Sequence, residues 1–237
     1  MLKQKFMLGL AVAAVLLLGM QEGVFAKKKT AVFKVRIENI STPDGLAAED
    51  GSKYPFALSP GMFIVTVDKM NFFKAGKKAN TGLEAQAEDG NPEILSKSLL
   101  TEIGSAKMGI FNMPVGTDKA APILPGGAYE FTFTAQEGQK LNFIAMYGQS
   151  NDLFYAPEKA LDLFVKGEAV SGDITGKLVL WDAGTEVNQA PGIGDSQAPR
   201  QKAANTGADE KEVVRIVKDG FSYPNTKDVL KVTITRQ

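Results

Sequence analysis

The sequence contains no cysteine and no histidine in 237 residues. Their absence removes the thiol nucleophiles, the commonest general base at neutral pH and nearly all ordinary zinc sites. Because no disulfide can form, stability must come from the core or from a bound ion. The remaining polar side chains offer mainly oxygen atoms, so a metal held by them is expected to be a hard cation such as calcium or magnesium.

The chain also lacks an excess of charge, since 27 lysine and arginine residues balance 27 aspartate and glutamate residues. A neutral protein has no overall field to attract nucleic acid or an anionic membrane, so a nucleic-acid partner is not expected. The hydrophobic content of 44% is ordinary for a globular protein. With no repeat or linker along the sequence, we expect one domain over residues 27–237, with its core at about 32–235.

The first 26 residues are typical of an export signal. Lys3 and Lys5 precede the uncharged, mostly apolar run 6–20, and Val24-Phe25-Ala26 resembles a small-x-small cleavage site. We expect cleavage near Ala26 and a secreted or periplasmic protein that is not integral to a membrane after cleavage. An uncleaved anchor is the alternative, although the apolar run is shorter than a membrane span of about 20 residues.

Alternation of apolar and polar residues predicts several short β-strands. Residues 31–37 and 128–135 have the two-residue period of a half-buried strand. The run 62–67 is apolar almost throughout, which is typical of a strand inside a sheet. Residues 141–147 follow 128–135 after a short polar connection, which predicts a β-hairpin. About seven or eight such segments predict an all-β, antiparallel β-sandwich.

One helix is predicted over residues 92–103, where apolar residues recur at helical spacing behind Pro92. Just before it, Glu84 and Glu88 have the i, i+4 spacing that would place both on one face of a short helix. A solvated surface turn is the interpretation that the glycine-rich sequence around them favours. The polar segment 187–210 contains hardly an apolar residue, and we expect it to be a mobile loop.

Acidic residues follow apolar segments in two stretches, QSNDLFYAPE at 149–158 and LVLWDAGTEVNQAP at 178–191. Asp152, Asp182 and Glu186 could therefore meet at one end of a sandwich, with Trp181 as a core anchor beside them. Crowded carboxylates repel one another unless a cation lies between them, and calcium prefers six to eight oxygen ligands. Spacing alone leaves the alternative open that all three are unpaired carboxylates in surface turns.

Several segments of the chain resemble, in order, the spondin N-terminal domain family, especially its bacterial members. They are IENIS at 37–41, LSPGMFIV at 58–65, GLEAQAEDG at 82–90, GIFNMPVG at 109–116, LPGGAYEFTF at 124–133, QSNDLFYAP at 149–157 and LWDAGTE at 180–186. The resemblance covers about residues 32–235, and its specific motifs are SND and WDAGTE. It implies a C2-like antiparallel β-sandwich with a calcium ion in the loops at one end.

The same resemblance implies calcium ligands at Asp152, Asp182 and Glu186. The animal members of the family have an aspartate where this chain has Glu186, and a proline where it has Asn151. Those members also carry cysteine-rich modules used in matrix adhesion, and this cysteine-free chain offers no basis for transferring that role.

The function expected from these observations is an exported, non-catalytic binding or adhesion-type module with calcium ordering its end loops. Its partner would be an extracellular or envelope protein, a glycan or a lipid headgroup. One alternative is a calcium-assisted hydrolase that uses the same carboxylates, since carboxylates alone suffice for glycosidase chemistry. A purely structural envelope protein is the other.

Overall fold

The computed structural model describes residues 28–67, 71–103 and 107–237. The predicted export signal, residues 1–26, lies outside the described residues. The strands are β1 (Thr30–Asn39), β2 (Leu46–Ala47), β3 (Lys53–Tyr54), β4 (Leu58–Thr66), β5 (Met108–Phe111), β6 (Ala128–Gln136), β7 (Lys140–Tyr147), β8 (Leu153–Pro157), β9 (Leu161–Asp162), β10 (Phe164–Val165), β11 (Glu168–Ala169), β12 (Gly172–Asp173), β13 (Leu178–Asp182), β14 (Arg215–Ile216) and β15 (Leu230–Arg236). The helices are α1 (Thr81–Asp89), α2 (Pro92–Ile103) and α3 (Thr226–Val229), with a 3₁₀ turn at Thr175–Lys177.

Two antiparallel sheets form the body of the protein. The smaller has the strand order β12-β15-β1-β6, and the larger has the order β14-β13-β8-β7-β4-β5, with β9 paired to β7. The all-β antiparallel sandwich that the sequence predicts is therefore confirmed. Strands β8 and β13 are neighbours in the larger sheet, and Asp182 at the end of β13 is opposite Leu153 at the start of β8. This pairing determines where the acidic loops meet.

The main core lies between the two sheets. Phe33, Val35 and Ile37 of β1 are buried there, while the intervening residues of β1 are more exposed, as the alternation in the sequence predicts. Phe131 from β6 stacks on Phe63 from β4 with ring centroids 4.4 Å apart. Aromatic side chains from both sheets thus fill the interior, and they make no open cage for a ligand.

A second apolar cluster covers the other face of the larger sheet. Met62 and Ile64 of β4 point into it, together with Leu83 of α1 and Leu95 of α2, while Phe63 and Val65 belong to the main core. Because β4 is buried on both faces, its sequence is continuously apolar. The protein therefore has three layers, and the helical insert forms one of them.

Trp181 belongs to this second cluster. It is buried at the end of β13, and its indole Nε1 donates a 3.3 Å hydrogen bond to the carbonyl oxygen of Ala156. Its ring lies 4.9 Å from that of Phe73, centroid to centroid. Its expected role as a core anchor is confirmed. Among the residues that the structure describes, no helix is both long and apolar enough to cross a bilayer.

The predicted hairpin of residues 128–135 and 141–147 is wrong. Strand β6 pairs with β1 in the smaller sheet, whereas β7 pairs with β4 and β8 in the larger one. The short segment 137–139 carries the chain from one sheet to the other. Both strands are apolar on the side that faces the interior, and crossing between the sheets buries both apolar faces in the same core.

The surface turn favoured for residues 84–88 is also wrong, because these residues lie in α1. The Asn80 side chain accepts a 2.9 Å hydrogen bond from the amide of Leu83 and caps the start of this helix. Gly90 ends it in the left-handed conformation, with φ at 63°. Glu88 is only 3% exposed. Helix α1 therefore presents a buried carboxylate toward the end of the sandwich where the acidic loops lie.

Candidate metal centre

The loop before β8 and the loop after β13 meet at one end of the larger sheet. The amide of Ala183 donates a 3.2 Å hydrogen bond to the carbonyl oxygen of Asp152, which continues the pairing of the two strands by one step. Ser150 shapes the first loop, since its Oγ accepts from the amide of Leu153 at 3.1 Å and donates to the carbonyl oxygen of Tyr147 at 2.6 Å. Asp152 and Asp182 are thereby held side by side.

Glu210 completes a group of three carboxylates. Asp152, Asp182 and Glu210 each offer one carboxylate oxygen, and these three atoms lie within 4.8 Å of one another. We call this group the carboxylate trio. Glu210 reaches it because its amide donates a 2.8 Å hydrogen bond to the carbonyl oxygen of Thr185. The three members come from distant parts of the sequence and meet only in the folded protein.

The two oxygens of Asp152 have very different surroundings. Oδ2 accepts hydrogen bonds from the amides of Thr185 at 2.7 Å and Glu186 at 3.1 Å, and from the Thr185 hydroxyl at 3.2 Å. Oδ1 is buried and has no hydrogen-bond partner in the part of the chain that the structure describes. A buried carboxylate oxygen without a partner is costly, which makes Oδ1 the atom best suited to bind a cation.

Asp182 and Glu210 share a positively charged neighbour. Arg215 Nη2 lies 3.0 Å from Asp182 Oδ2 and 2.6 Å from Glu210 Oε1. Asp182 Oδ1 accepts from the amide of Gly184 at 2.7 Å, and Oδ2 also accepts from Asn188 Nδ2 at 3.0 Å. Glu210 Oε2 is a second buried oxygen without a partner among the described residues. The trio thus contains oxygens that have hydrogen-bond or ion-pair partners and oxygens that have none among the described residues.

Burial makes the charged forms of Asp152, Asp182 and Glu88 unfavourable. It raises the pKa of Asp152 to about 6 and that of Asp182 to about 7, the latter with a further contribution from the charge on Asp152. Burial likewise raises the pKa of Glu88 to about 7. Although Arg215 contacts two carboxylates of the trio, the charged forms of Asp152 and Asp182 remain disfavoured, and a bound cation would stabilise them.

Glu186, the third ligand predicted from the sequence, is not part of the trio. Its Oε2 accepts a 3.0 Å hydrogen bond from Asn151 Nδ2, and its side chain lies against the backbone of Gly207. Its backbone forms an isolated bridge with Asp209. Burial raises the pKa of this carboxyl group as well. Glu186 thus fastens the two ends of the polar segment 187–210 to each other and to the loop before β8.

The polar segment makes specific contacts with the rest of the protein. Gln201 Nε2 donates to Asp89 Oδ1 at 2.9 Å, and Asn205 Nδ2 donates to Glu84 Oε1 at 3.2 Å, so the acidic face of α1 supports it. Gln197 is fully buried and donates to the carbonyl oxygen of Ala190 at 2.9 Å. The mobility of the polar segment remains a prediction, but in the structure the segment follows a defined path that ends at Glu210.

Sequence reasoning missed Glu210 and Arg215. Both lie where the polar segment returns to the sheet, Glu210 just before and Arg215 within β14. An available signal was that each of the other two acidic residues also lies at the junction of a strand and a loop. No pattern in the sequence links this junction to Asp182, because the pairing of β13 with β14 decides the contact.

The donor set fits a hard divalent cation. All three groups offer carboxylate oxygens, and two of the oxygens are buried without partners. Three carboxylates face one guanidinium group, which leaves two formal negative charges, the amount that one divalent cation compensates.

A cleft of about 210 Å³ opens beside the site. Its lining includes Gly184 and Thr185, which follow Asp182, as well as charged residues of both signs such as Lys78, Glu84 and Lys211. None of the three carboxylates of the trio lines it. The surface at this end of the sandwich is therefore made by the loops, and the trio lies behind it.

A scan against protein-family models and a search of curated proteins return no match to this chain. The resemblance to the spondin N-terminal domain remains an expectation from the sequence.

Proposed function

We propose that the protein is an exported, non-catalytic binding module in which a calcium ion orders the loops at one end of the sandwich. Asp152, Asp182 and Glu210 would hold the ion. It would supply positive charge to the buried carboxylates and so stabilise the loops that carry them. Export is part of the proposal on the strength of the signal-like residues 1–26.

The observation that carries this proposal is the convergence of three loops on one set of buried oxygens. Asp152 is completely buried, yet its Oδ1 has no hydrogen-bond partner among the described residues. The Glu210 side chain is 24% exposed, but its Oε2 atom is also buried and has no hydrogen-bond partner in the described part of the chain. Leaving a charged oxygen without a hydrogen-bond partner is unfavourable. A cation that contacts both atoms would therefore stabilise the folded state and not the unfolded state.

The burial of the carboxylates supports a binding role over a hydrolytic one. Asp152 and Asp182 have no exposed surface, so neither can contact a substrate without rearrangement of the loops. The neighbouring cleft presents loop residues of mixed charge, including Thr185, Asp209 and Lys211. A partner would therefore meet the ordered loops and not the ion. An extracellular or envelope protein, a glycan or a lipid headgroup remains the proposed partner class.

The proposal is tested by thermal unfolding of the purified mature chain, residues 27–237, after removal of metal with a chelator. Calcium should raise the melting temperature in a concentration-dependent manner, because it binds only the folded state. Magnesium should have a smaller effect, since it needs near-ideal octahedral geometry and dehydrates reluctantly.

Asp182→Asn is the loss-of-function variant, and it should abolish most of the calcium-dependent shift. Asp162→Asn is a suitable control, because the Asp162 side chain is 62% exposed and forms an ion pair with Lys140 at 2.7 Å. If calcium produced no shift in the parent protein, or if Asp182→Asn retained the parent's shift, the proposed calcium site would be wrong.

A further inference from the structure

Arg215 places its positive charge close to the position that a metal ion bound by the carboxylate trio would occupy. It is directly opposite Asp182 in the antiparallel pair of β13 and β14. Its guanidinium Nη2 contacts Asp182 Oδ2 at 3.0 Å and Glu210 Oε1 at 2.6 Å. Its side chain is 29% exposed, whereas that of Asp182 is fully buried. An arginine at the edge of the site thus places positive charge against two of the three carboxylates of the trio.

The pattern of satisfied oxygens divides the site in two. The oxygens that contact Arg215 are Asp182 Oδ2 and Glu210 Oε1. Within the trio, the oxygens without partners among the described residues are Asp152 Oδ1 and Glu210 Oε2; Glu186 Oε1, outside the trio, is a further buried carboxylate oxygen without one. A divalent cation attracted to the unpartnered oxygens would stand within a few ångströms of the guanidinium, since the ligand atoms of the trio lie within 4.8 Å of one another. Two cations this close repel each other strongly when partly desolvated.

We infer that Arg215 is an internal competitor for the metal: it partly neutralises the carboxylate trio in the ion-free protein and thereby lowers its affinity for calcium. This inference rests on the proposed calcium site and adds a determinant of its affinity. The ion-free loops remain closed around the guanidinium, and calcium binds only when its concentration is high. The affinity is then suited to an extracellular concentration range of about 10⁻⁴–10⁻³ M.

A purely structural role for Arg215 predicts something different. If the arginine only fastened β14 to β13, its removal would lower stability with and without calcium, and calcium affinity would be unchanged or reduced. Competition predicts that removal of Arg215 lowers the stability of the ion-free protein but increases the affinity for calcium. The two roles are therefore separated by measuring calcium binding directly.

The experiment is calorimetric titration of the metal-free mature chain with calcium, for the parent and for Arg215→Gln. The dissociation constant should fall by about tenfold or more in the variant, because one nearby positive charge is removed from a partly buried site. The melting temperature without calcium should fall at the same time. Should the glutamine variant be unstable, Arg215→Met serves the same comparison, since it keeps most of the aliphatic stem without the charge.

Two further variants sharpen the test. Arg215→Lys keeps the positive charge, so its dissociation constant should stay close to that of the parent. Arg36→Gln is the matched control: Arg36 also bridges two carboxylates, contacting Glu130 at 2.9 Å and Glu38 at 3.1 Å, but it lies on the smaller sheet. Its removal should leave calcium affinity unchanged.

The outcomes distinguish this inference from the proposed function. If the parent binds calcium and Arg215→Gln binds no tighter, competition is wrong while the calcium site stands. If the parent shows no binding and the variant does, competition is supported and the parent's calcium-dependent function is wrong. If neither protein binds calcium, both ideas are wrong. Equal tightening by lysine and glutamine would also overturn the inference, because the charge would then not matter.

Discussion

The amide of Thr185 donates a 2.7 Å hydrogen bond to Asp152 Oδ2, which fastens the loop after β13 to the loop before β8. The same oxygen also accepts from the amide of Glu186, while the other oxygen of Asp152 has no partner among the described residues. Asp152 is therefore both a structural acceptor and a candidate ligand.

Asp152→Asn should raise the stability of the calcium-free protein and reduce the stabilisation that calcium provides. The asparagine oxygen can still accept from Thr185, and the substitution removes a buried charge whose pKa burial raises to about 6. Without calcium at pH 8, the free energy of unfolding should rise by about 1–2 kcal/mol. Calcium should add little to the free energy of unfolding of the variant, since the substitution removes the charge of one ligand. Urea unfolding in chelator and in calcium measures both effects.

Asp162→Asn, an exposed carboxylate paired with Lys140, is the control for Asp152→Asn and should change neither condition by more than about 0.5 kcal/mol. A calcium-dependent gain in Asp152→Asn as large as in the parent would show that Asp152 is not a ligand.

The ion-free protein should lose stability as the pH rises from about 4 to 7. Burial raises the pKa values of Asp152, Asp182 and Glu88 above their ordinary values of 3.8, 3.8 and 4.5. An acid with a raised folded pKa binds its proton more tightly in the folded protein, so its stabilising contribution is complete below the unfolded pKa and disappears above the folded one. Since a change of one pKa unit corresponds to about 1.4 kcal/mol, the total loss should amount to several kcal/mol. Denaturant unfolding in chelator at several pH values measures it.

Calcium should reverse this pH dependence, because it binds the deprotonated carboxylates. Its stabilisation should be larger at pH 7.5 than at pH 5. Carboxyl groups with lowered pKa values, such as Glu130 beside Arg36, have the opposite sign but act below about pH 4.5, outside this window. If stability in chelator increased between pH 5 and pH 7, the buried carboxyl groups of Asp152, Asp182 and Glu88 would not destabilise the folded protein when they become charged.

Gly207→Ala should loosen the polar segment. A Cβ at this position would clash with Oε1 and Cδ of Glu186, and the Glu186 side chain is buried and held by Asn151. We expect a loss of about 1–3 kcal/mol in the free energy of unfolding, as is usual for overpacking. Hydrogen exchange should increase within residues 187–210 more than in the rest of the chain.

Gly176→Ala is the matched control for this variant, since nothing lies within 4 Å of the added carbon. Combining Gly207→Ala with Glu186→Ala should recover part of the loss, because the clashing carboxylate is removed. Additive effects of the two substitutions would contradict the contact between Gly207 and Glu186.

Glu210 and Glu186 should differ in their importance for calcium binding. Glu210→Gln removes a charge from the carboxylate trio and should weaken calcium binding by about tenfold or more. Glu186→Gln should keep the dissociation constant within about threefold of the parent, since its carboxylate faces Asn151 and lies outside the trio. Titration calorimetry of both variants tests this difference. The reverse order would make Glu186 the ligand, as the resemblance implies.

Much of the fold could be predicted because it depends on local patterns. The alternation in β1 and β6 reports directly on strands with one buried face, and the continuous apolar run in β4 reports on a strand buried on both. The helix at Pro92–Ile103 follows from apolar spacing in the same way. The pairing of β6 with β1 instead of β7 could not be predicted, because a short connection between strands is compatible both with a hairpin and with a crossing between sheets.

For the site, the kind of ligand atom and two of the residues follow from the amino-acid sequence. The absence of histidine and cysteine leaves oxygen ligands, and the strand ends place Asp152 and Asp182 in loops that could meet. The approach of Glu210 and Arg215 to these residues, and the contact of Glu186 with Asn151, depend on the folded chain. The reason is physical: periodicity reports which face of an element is buried, but the return of a long polar segment to a sheet edge depends on pairing between strands that are distant in the sequence.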